Sequence, residues 1–530
     1  MLTFMVIIPV LLAVLLFAFS SNRIAKAAAV FIQAALFVVS VYLVLITRGA
    51  EVTTVVGSYD GILGIILRAN SLSAVFVLIT AFIFLAVSVY SFTYRERKDA
   101  RTFWFLMFLL EASFIGLFLS GDLFNVFVLL EVSTLVLVIL AMYDRKNRSI
   151  FHGKVYLLAN VVAIQFYLLG LGYLYRITGA LDMERVGESL GAMDGQNLIL
   201  PYALIMTGIA FKSTLIPFLS WTPKVRLYEN APTVVAAVMS GLQAKAALYL
   251  FMRFQEMFAP VAAQQFFLII GIIAGLFGAV MAICQTNIKM ILAYHTISQI
   301  GLITVGISHG GEHAYIGGLY HAVGHAVFKT ALFLCAGIIS HSYGTADVHA
   351  IRGVMKRMPA VGIAALAAVL GITGAPLFIG SVSKYFIFYY VDSFTKVIVI
   401  LLGLGTIISF VKFSSVFFGR SDLAGDAFKA DKCKMIPVVL MGALCFAGGV
   451  FGTRFIYFLF RFPAAVDFWA YVQDAGIVIA SMAGGYFIYK YLISGRAILN
   501  RIEKINFSFK QICASIGIFL AIMLVMIGYF

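Results

Sequence analysis

Apolar runs of about 19 to 29 residues, cut by short polar loops, recur from one end of this 530-residue chain to the other. A helix needs about 20 such residues to cross a bilayer. The runs therefore mark about sixteen candidate spans, beginning near residues 2, 27, 71, 102, 122, 153, 198, 233, 260, 288, 312, 359, 394, 434, 470 and 509. With 62% hydrophobic residues, 12% charged residues and a mean hydropathy of +1.03, no water-soluble core of this size accommodates them. The expected fold class is an all-α polytopic membrane protein, because helices satisfy their own backbone polar groups in lipid. In the first run, MLTFMVIIPVLLAVLLFAFSSNRIAK, the charges follow the apolar stretch and no small-x-small cleavage site appears. It reads as the first span, not a signal peptide.

Basic residues sort by side. Of 38 lysines and arginines, 25 fall in loops after odd-numbered spans and 8 in loops after even-numbered spans. By the positive-inside rule the odd loops face the cytoplasm of a plasma (inner) membrane, and both termini face outside. The net charge of +15 is then explained by orientation, since its carriers are spread over short loops with no stripe for nucleic acid. Five scattered cysteines, Cys284, Cys335, Cys433, Cys445 and Cys513, include no CxxC. Neither an iron–sulfur cluster nor a disulfide framework is indicated, and no cofactor is expected.

The remaining five lysines, Lys212, Lys245, Lys329, Lys384 and Lys412, lie inside spans, with Glu111, Glu131, His295, His321 and His325. Each ionisable group at mid-bilayer costs at least about 2.5 kcal/mol, so function is the default reading. Glu131, Lys212 and Lys245 lie roughly nine or more residues from the span ends, too far for a lysine stem to snorkel. Lys412, nearer the cytoplasmic end of its span, reads as able to do so. Two spans contain helix-breaking prolines near a lysine: Pro217 in GIAFKSTLIPFLSWTP and Pro376 in GITGAPLFIGSVSKYF. Freed carbonyls within a membrane require protein or water beside them. Interrupted helices of this kind are a device of ion transporters.

In HAVGHAVFKTALF, residues 321–333, His321, His325 and Lys329 recur at i, i+4 and i+8. On a helix they form one stripe with steps of about 6 Å, a gap that one water bridges. Histidine exchanges protons near neutral pH, so the stripe reads as a proton wire. Two other readings stay open. His-x3-His chelates zinc, although the adjacent Lys and the lack of a nearby Cys, Asp or Glu speak against a metal. The pair also reads as a structural hydrogen-bonded contact between helices.

Taken in order, SGDLFNVFVLLEVSTLVLVIL, FKSTLIPFLSWTP, APTVVAAVMSGLQAKAALYLFMRF, IKMILAYHTISQIGL, HAVGHAVFKTALFLCAG and GAPLFIGSVSKY resemble the antiporter-like subunits of complex I, Mrp cation/proton antiporters and membrane-bound hydrogenases. The resemblance covers about residues 60–420, and LAYHTISQIG and YGTADVHAIRGV look most like the Mrp D subunit and its hydrogenase-complex counterparts. It implies two inverted five-helix repeats, spans 4 to 8 and 9 to 13, with helices 7 and 12 broken. The corresponding division is 1–101 for N-terminal helices, 102–255 and 256–420 for the two half-channels, and 421–530 for C-terminal helices. By motif, Glu131 takes the place of the family's acid, Lys212 of its partner and Lys245 of the central lysine. His321, His325 and Lys329 match the polar stripe, and Lys384 the terminal lysine. Asn70 stands where many relatives carry Asp, and GAPLFIGSVSK departs from the usual Gly-x-Pro-Pro-x-x-Gly-Phe-x-Ser-Lys. The stretch SGRAILNRIEKINFSFK is under about 30 Å even as a full helix, too short for the lateral helix at the distal position of complex I.

The expected function is ion translocation within a multisubunit membrane complex, with redox chemistry, if any, in partner subunits. The relay set is Glu131, Lys212, Lys245, His321, His325, Lys329 and Lys384, with Glu111, His295 and Lys412 as accessory candidates. H⁺ and Na⁺ both remain open as the moved ion, since no Na⁺-specific oxygen cage is legible. A self-sufficient solute carrier and an inert membrane scaffold are the alternatives from other classes.

Overall fold

A computed structural model describes residues 1–19, 23–57, 64–93, 100–144, 147–215, 221–420, 431–495, 499, 502–503 and 507–529. Helices α1 (Leu2–Phe19) and α2 (Arg23–Ile46) precede a two-stranded ribbon, β1 (Val52–Val56) antiparallel to β2 (Ile65–Ala69), with Val52 opposite Ala69. Next come α3 (Ser71–Tyr90), α4 (Ala100–Leu119), α5 (Leu123–Ala141), α6 (Asn147–Thr178) and the short α7 (Met183–Gly191). Helices α8 (Gly195–Lys212) and α9 (Trp221–Asn230) lead to α10 (Thr233–Val238), which passes through a π turn, Met239–Gln243, into α11 (Ala244–Met257). They are followed by α12 (Gln264–Cys284), α13 (Ile288–Ser308), α14 (Glu312–Tyr343), the one-turn α15 (Val354–Arg357), α16 (Pro359–Thr373) and α17 (Ile379–Tyr389). The chain finishes with α18 (Ser393–Ser414), α19 (Lys432–Val450), α20 (Gly452–Phe460), α21 (Phe468–Phe487) and α22 (Phe509–Tyr529).

Among the described residues, fourteen helical segments are long and apolar enough to cross a membrane, with α10, the π turn and α11 acting as one. The two expected spans missing from that set, near 198 and 359, are the two that break. Both first halves close alike. At the end of α8, Thr214 N donates to Phe211 O and Leu215 N to Ala210 O; at the end of α16, Gly374 N donates to Gly371 O and Ala375 N to Leu370 O. The turn residue is left-handed in each, Thr214 at φ 66° and Gly374 at φ 82°. Gly adopts this conformation freely, whereas a β-branched Thr is strained there. Pro217 lies outside the described residues, and Pro376 sits in the second break, beside Leu377 at φ 69°.

A second feature repeats. Asp122 caps α5 and forms a β-bridge to Asp182; Asn287 caps α13 and bridges to Asp347, at the same separation in sequence. Both bridges tie a helix start to a distant loop through paired backbone bonds: Leu123 N to Leu181 O and Met183 N to Gly121 O, then Ile288 N to Ala346 O and Val348 N to Thr286 O.

Three spans, Thr233–Met257, α13 and α14, are buried all round. Helices so enclosed are ordinarily apolar on every face, yet these carry Lys245, His295, His321, His325 and Lys329. At the periphery, α21 packs on α18 and α17, while α22 packs on α8 and α6. Between those two, Glu503 Oε1 accepts from Thr286 N (3.3 Å) and Oγ1 (2.9 Å), and its backbone oxygen accepts from Arg226 Nη2 (3.2 Å).

Candidate ion-translocation site

Lys212 is the last residue of α8, where its ammonium meets the negative end of the helix dipole. It donates to Glu131 Oε1 at 3.0 Å and to Thr134 Oγ1 at 2.7 Å. Thr134 and Glu131 are both on α5, at i, i+3 spacing, so one turn supplies both acceptors. Lys212 is 3% exposed and Glu131 30%. Glu131 shares its stripe of α5 with Phe124, Val128, Leu135 and Ile139, all exposed.

Lys245 follows the π turn. Such a turn holds one residue more than an α turn and leaves carbonyls without their usual partner, and Lys245 Nζ donates to one of them, Ser240 O, at 2.5 Å. Ser240 Oγ lies 2.7 Å from Thr296 Oγ1, which donates to Leu292 O at 3.2 Å; Lys329 Nζ donates to the same oxygen at 2.5 Å. Lys245 on α11 and Lys329 on α14 thus each bond a backbone carbonyl of a residue that takes part in the Ser240–Thr296–Leu292 contact between the π turn and α13. The π turn lies so close to α14 that a Cβ on Gly241 would stand 2.5 Å from Thr330 Oγ1. Only glycine fits.

Beyond Lys329, His325 is fully buried, packs edge-on against Phe328 and has no hydrogen-bond partner at either ring nitrogen among the described residues. His321 lies 2.8 Å from Ser383 Oγ and 2.9 Å from Gln299 Oε1, and Gln299 Nε2 donates to Thr406 Oγ1 at 3.3 Å. The two histidines do not bond each other. His295 pairs with Ser409 Oγ, and its Nδ1 has no partner. Lys384 Nζ donates to Ile372 O (2.8 Å) and Thr373 O (3.1 Å), the carbonyls freed where α16 ends. As expected from Pro376, a polar backbone end lies beside a lysine.

Two accessory candidates sit apart. Lys412 is 4% exposed, and its ammonium donates to Ala282 O, Ile283 O and Gln285 O at the end of α12. There it satisfies C-terminal carbonyls that have no partner within their own helix. Glu111 on α4 is fully buried and accepts from Gln33 Nε2 of α2 at 2.6 Å.

Lys224, assigned from sequence to a cytoplasmic loop, is 3% exposed on α9, and its Nζ has no hydrogen-bond partner among the described residues. It lies within electrostatic reach of Lys212 on one side and Lys245 on the other. Its proximity to Pro217 was the available signal. Ser240, Thr296, Gln299 and Ser383 were not singled out, because hydroxyl and amide residues are common in apolar helices. Around Lys224 several other polar atoms are buried without partners: Asn160 Oδ1, Tyr228 OH and Gln243 Oε1. From Lys212, the groups follow as neighbours through Lys224, Lys245, Lys329, His325 and His321 to Lys384.

Residues 120–409 match the family described as NADH:quinone oxidoreductase/Mrp antiporter, TM. The N subunit of the NADH-quinone oxidoreductase of Desulforudis audaxviator is 34% identical over 333 residues, covering 61% of this chain and 66% of that protein. The D subunit of the Na(+)/H(+) antiporter of Alkalihalophilus pseudofirmus is 28% identical over 453 residues, covering 83% of this chain and 91% of that protein. A chain in the structure of the Mrp complex from Dietzia sp. superposes with a TM-score of 0.78 at 20% identity, covering 95% of this chain and 99% of that one. The family match spans more than half of the sequence and contains every candidate relay residue from Glu131 to Lys384, so this chain belongs to the antiporter-like membrane subunits of the NADH:quinone oxidoreductase/Mrp family.

Proposed function

We propose that this chain moves protons, or exchanges sodium for protons, along a path from Glu131 and Lys212 through Lys224, Lys245, Lys329, His325 and His321 to Lys384. The observation that carries this reading is the unbroken succession of buried cationic and imidazole groups through the enclosed centre of the bundle. Its gaps contain partnerless polar atoms, on Lys224, Gln243 and both nitrogens of His325. Buried polar atoms are ordinarily satisfied by protein or ordered water, and water is what a proton needs between such groups.

In this reading Glu131 keeps Lys212 charged. When the pair opens, the proton of Lys212 moves through water and Lys224 to Lys245, then through water beside the Ser240–Thr296 hydroxyls to Lys329 and the histidines. Charge arriving at one station biases the next. The matched bridges at Asp122 and Asn287 and the matched closures at Thr214 and Gly374 support two inverted repeats, within 102–255 and 256–420. Counting both broken helices as crossings returns sixteen spans, with both termini outside the plasma membrane. The exposed stripe around Glu131 supports a neighbouring membrane subunit against α5, as do the relatives, which are themselves subunits by name. An acid left at a lipid boundary is costly. A docked partner covers it and supplies the charge change that opens the pair.

The test is driven ion uptake by the assembled complex in proteoliposomes carrying Lys245→Ala or Lys384→Ala. Loss of uptake with assembly intact is expected, and normal uptake in both variants removes the relay.

A further inference from the structure

The path just described gives no role to an acid inside another spanning helix, Asp474. Asp474 is on α21, beyond the matched residues 120–409 and in the second turn of a helix that starts at Phe468. Most of α21 is exposed, with Trp469, Val472 and Ile479 turned outward. Asp474 turns the other way, into a cavity between α17, α18 and α21 whose wall also carries Lys384, Ser381 and Tyr471. The cavity has about 80 Å³ of space for water centres, enough for several waters at roughly 10–15 Å³ each. Ser381 Oγ and Tyr471 OH are 2.8 Å apart on its rim, and Tyr471 OH accepts from Leu377 N, 3.0 Å away in the strained break. The Asp474 carboxylate has no hydrogen-bond partner among the described residues, and Lys396, close to the start of α18, lies within its electrostatic reach. The start of α21, the start of α18 and the end of α17 lie on one side of the membrane, the outer one by the distribution of basic loops.

We propose that Asp474 is the outlet carboxylate of the relay, passing the proton of Lys384 to the outer aqueous phase. The inference rests on the relay reading above. The Lys384 ammonium gives one proton through cavity water to Asp474, leaving a neutral amine and a carboxylic acid. The amine keeps two N–H donors for Ile372 O and Thr373 O, and its lone pair is free for the next proton from the His321 side. Asp474 then releases the proton to bulk water and returns to carboxylate. An intramembrane carboxylate on the wall of a water-sized cavity that it shares with a relay lysine is matched to this step. Packing alone would have selected an apolar residue there.

The test uses the assembled complex in proteoliposomes, with Asp474→Asn, Asp474→Glu, Lys245→Ala and Lys384→Ala compared for driven uptake per assembled complex. Asn keeps the shape and removes the titrating group. Uptake is expected to fall at least about tenfold, the low end of what a positioned proton-transfer group contributes, and Glu is expected to restore most of it. Normal uptake by Asp474→Asn while both Lys variants are dead overturns the outlet and leaves the relay standing. Normal uptake by all of them removes the relay itself. Loss in both Asn and Glu variants marks a packing role and also overturns the proposal. As a measurement independent of acid chemistry, Asp474→Cys should react with a membrane-impermeant cationic thiol reagent from the outer side only. Failure to react, with Lys396→Cys reacting as the positive control, excludes an outlet here.

Discussion

Replacing Lys212 by Ala separates transport from stability. The side chain makes two bonds, 3.0 Å to Glu131 and 2.7 Å to Thr134. Breaking a fully buried ion pair costs about 3–5 kcal/mol and breaking an exposed one about 0–1. Glu131 is 30% exposed, so after Lys212→Ala it either reaches polar surroundings or takes up a proton. We expect a loss of about 2 kcal/mol, between those limits. The burial of α8 against α6 and α22 is untouched, so the protein should assemble. Driven uptake in proteoliposomes, normalised to assembled complex, should nevertheless be almost abolished, because no other ammonium contacts Glu131 among the described residues. Lys212→Arg keeps the charge but hardly releases a proton, so it should assemble normally and transport poorly. Near-normal uptake by Lys212→Ala, or full uptake by Lys212→Arg, would refute the assignment of a proton-releasing step to this lysine.

His325→Gln, which cannot titrate, should impair uptake across pH 6 to 8; normal uptake by this variant would show that water alone joins Lys329 to His321. His325→Ala should assemble as well as the Gln variant, since neither ring nitrogen leaves a described partner behind, and co-purified zinc lost in both would favour a metal instead. Lys412→Ala should lower the thermal stability of the purified complex by about 3–5 kcal/mol, from stranded carbonyls at the end of α12, while Lys412→Arg keeps both stability and uptake; loss of uptake in a stable Arg variant would return Lys412 to the relay. Labels at Asp144 and Lys356, and at Asp99 outside the described residues, should be reachable only from the cytoplasm. Labels at Ser189 and the C-terminus should be reachable only from outside, and a cytoplasmic C-terminus would change the number of crossings.

The spans were legible because lipid enforces one rule on every residue: the expected starts at 2, 71, 122, 288, 312 and 509 fall within a residue or so of α1, α3, α5, α13, α14 and α22. The ribbon β1–β2 was missed, since Val52–Val56 and Ile65–Ala69 lie in a connection where water and lipid pattern nothing strictly. Buried charge marked Lys212, Lys245, Lys329 and Lys384 directly. It could not separate carrier from cap: Lys384 and Lys412 both donate to the last carbonyls of a helix, and only their neighbours tell them apart. Lys224 was lost because a count of basic residues by loop assigns sides without knowing where a broken helix re-enters the bundle. The Ser240–Thr296 link depends on a π turn, and no local pattern around Gly241 announces one.

The position of α22 has a consequence for how the chain is made. Its seat is formed by α6 and α8, and α8 ends in Lys212, yet α22 leaves the ribosome after every other described helix. Contacts so distant in sequence form late, after a large loss of chain entropy. Throughout the synthesis of some three hundred intervening residues the groove beside α8 is therefore lined by lipid. The Lys212–Glu131 pair must be held through that interval by the helices already made, α6 and α11 among those packed on α8. A truncation that removes α22 is then expected to prolong an assembly intermediate and leave that groove for another membrane segment to occupy, a form of misassembly to which multi-span chains are prone.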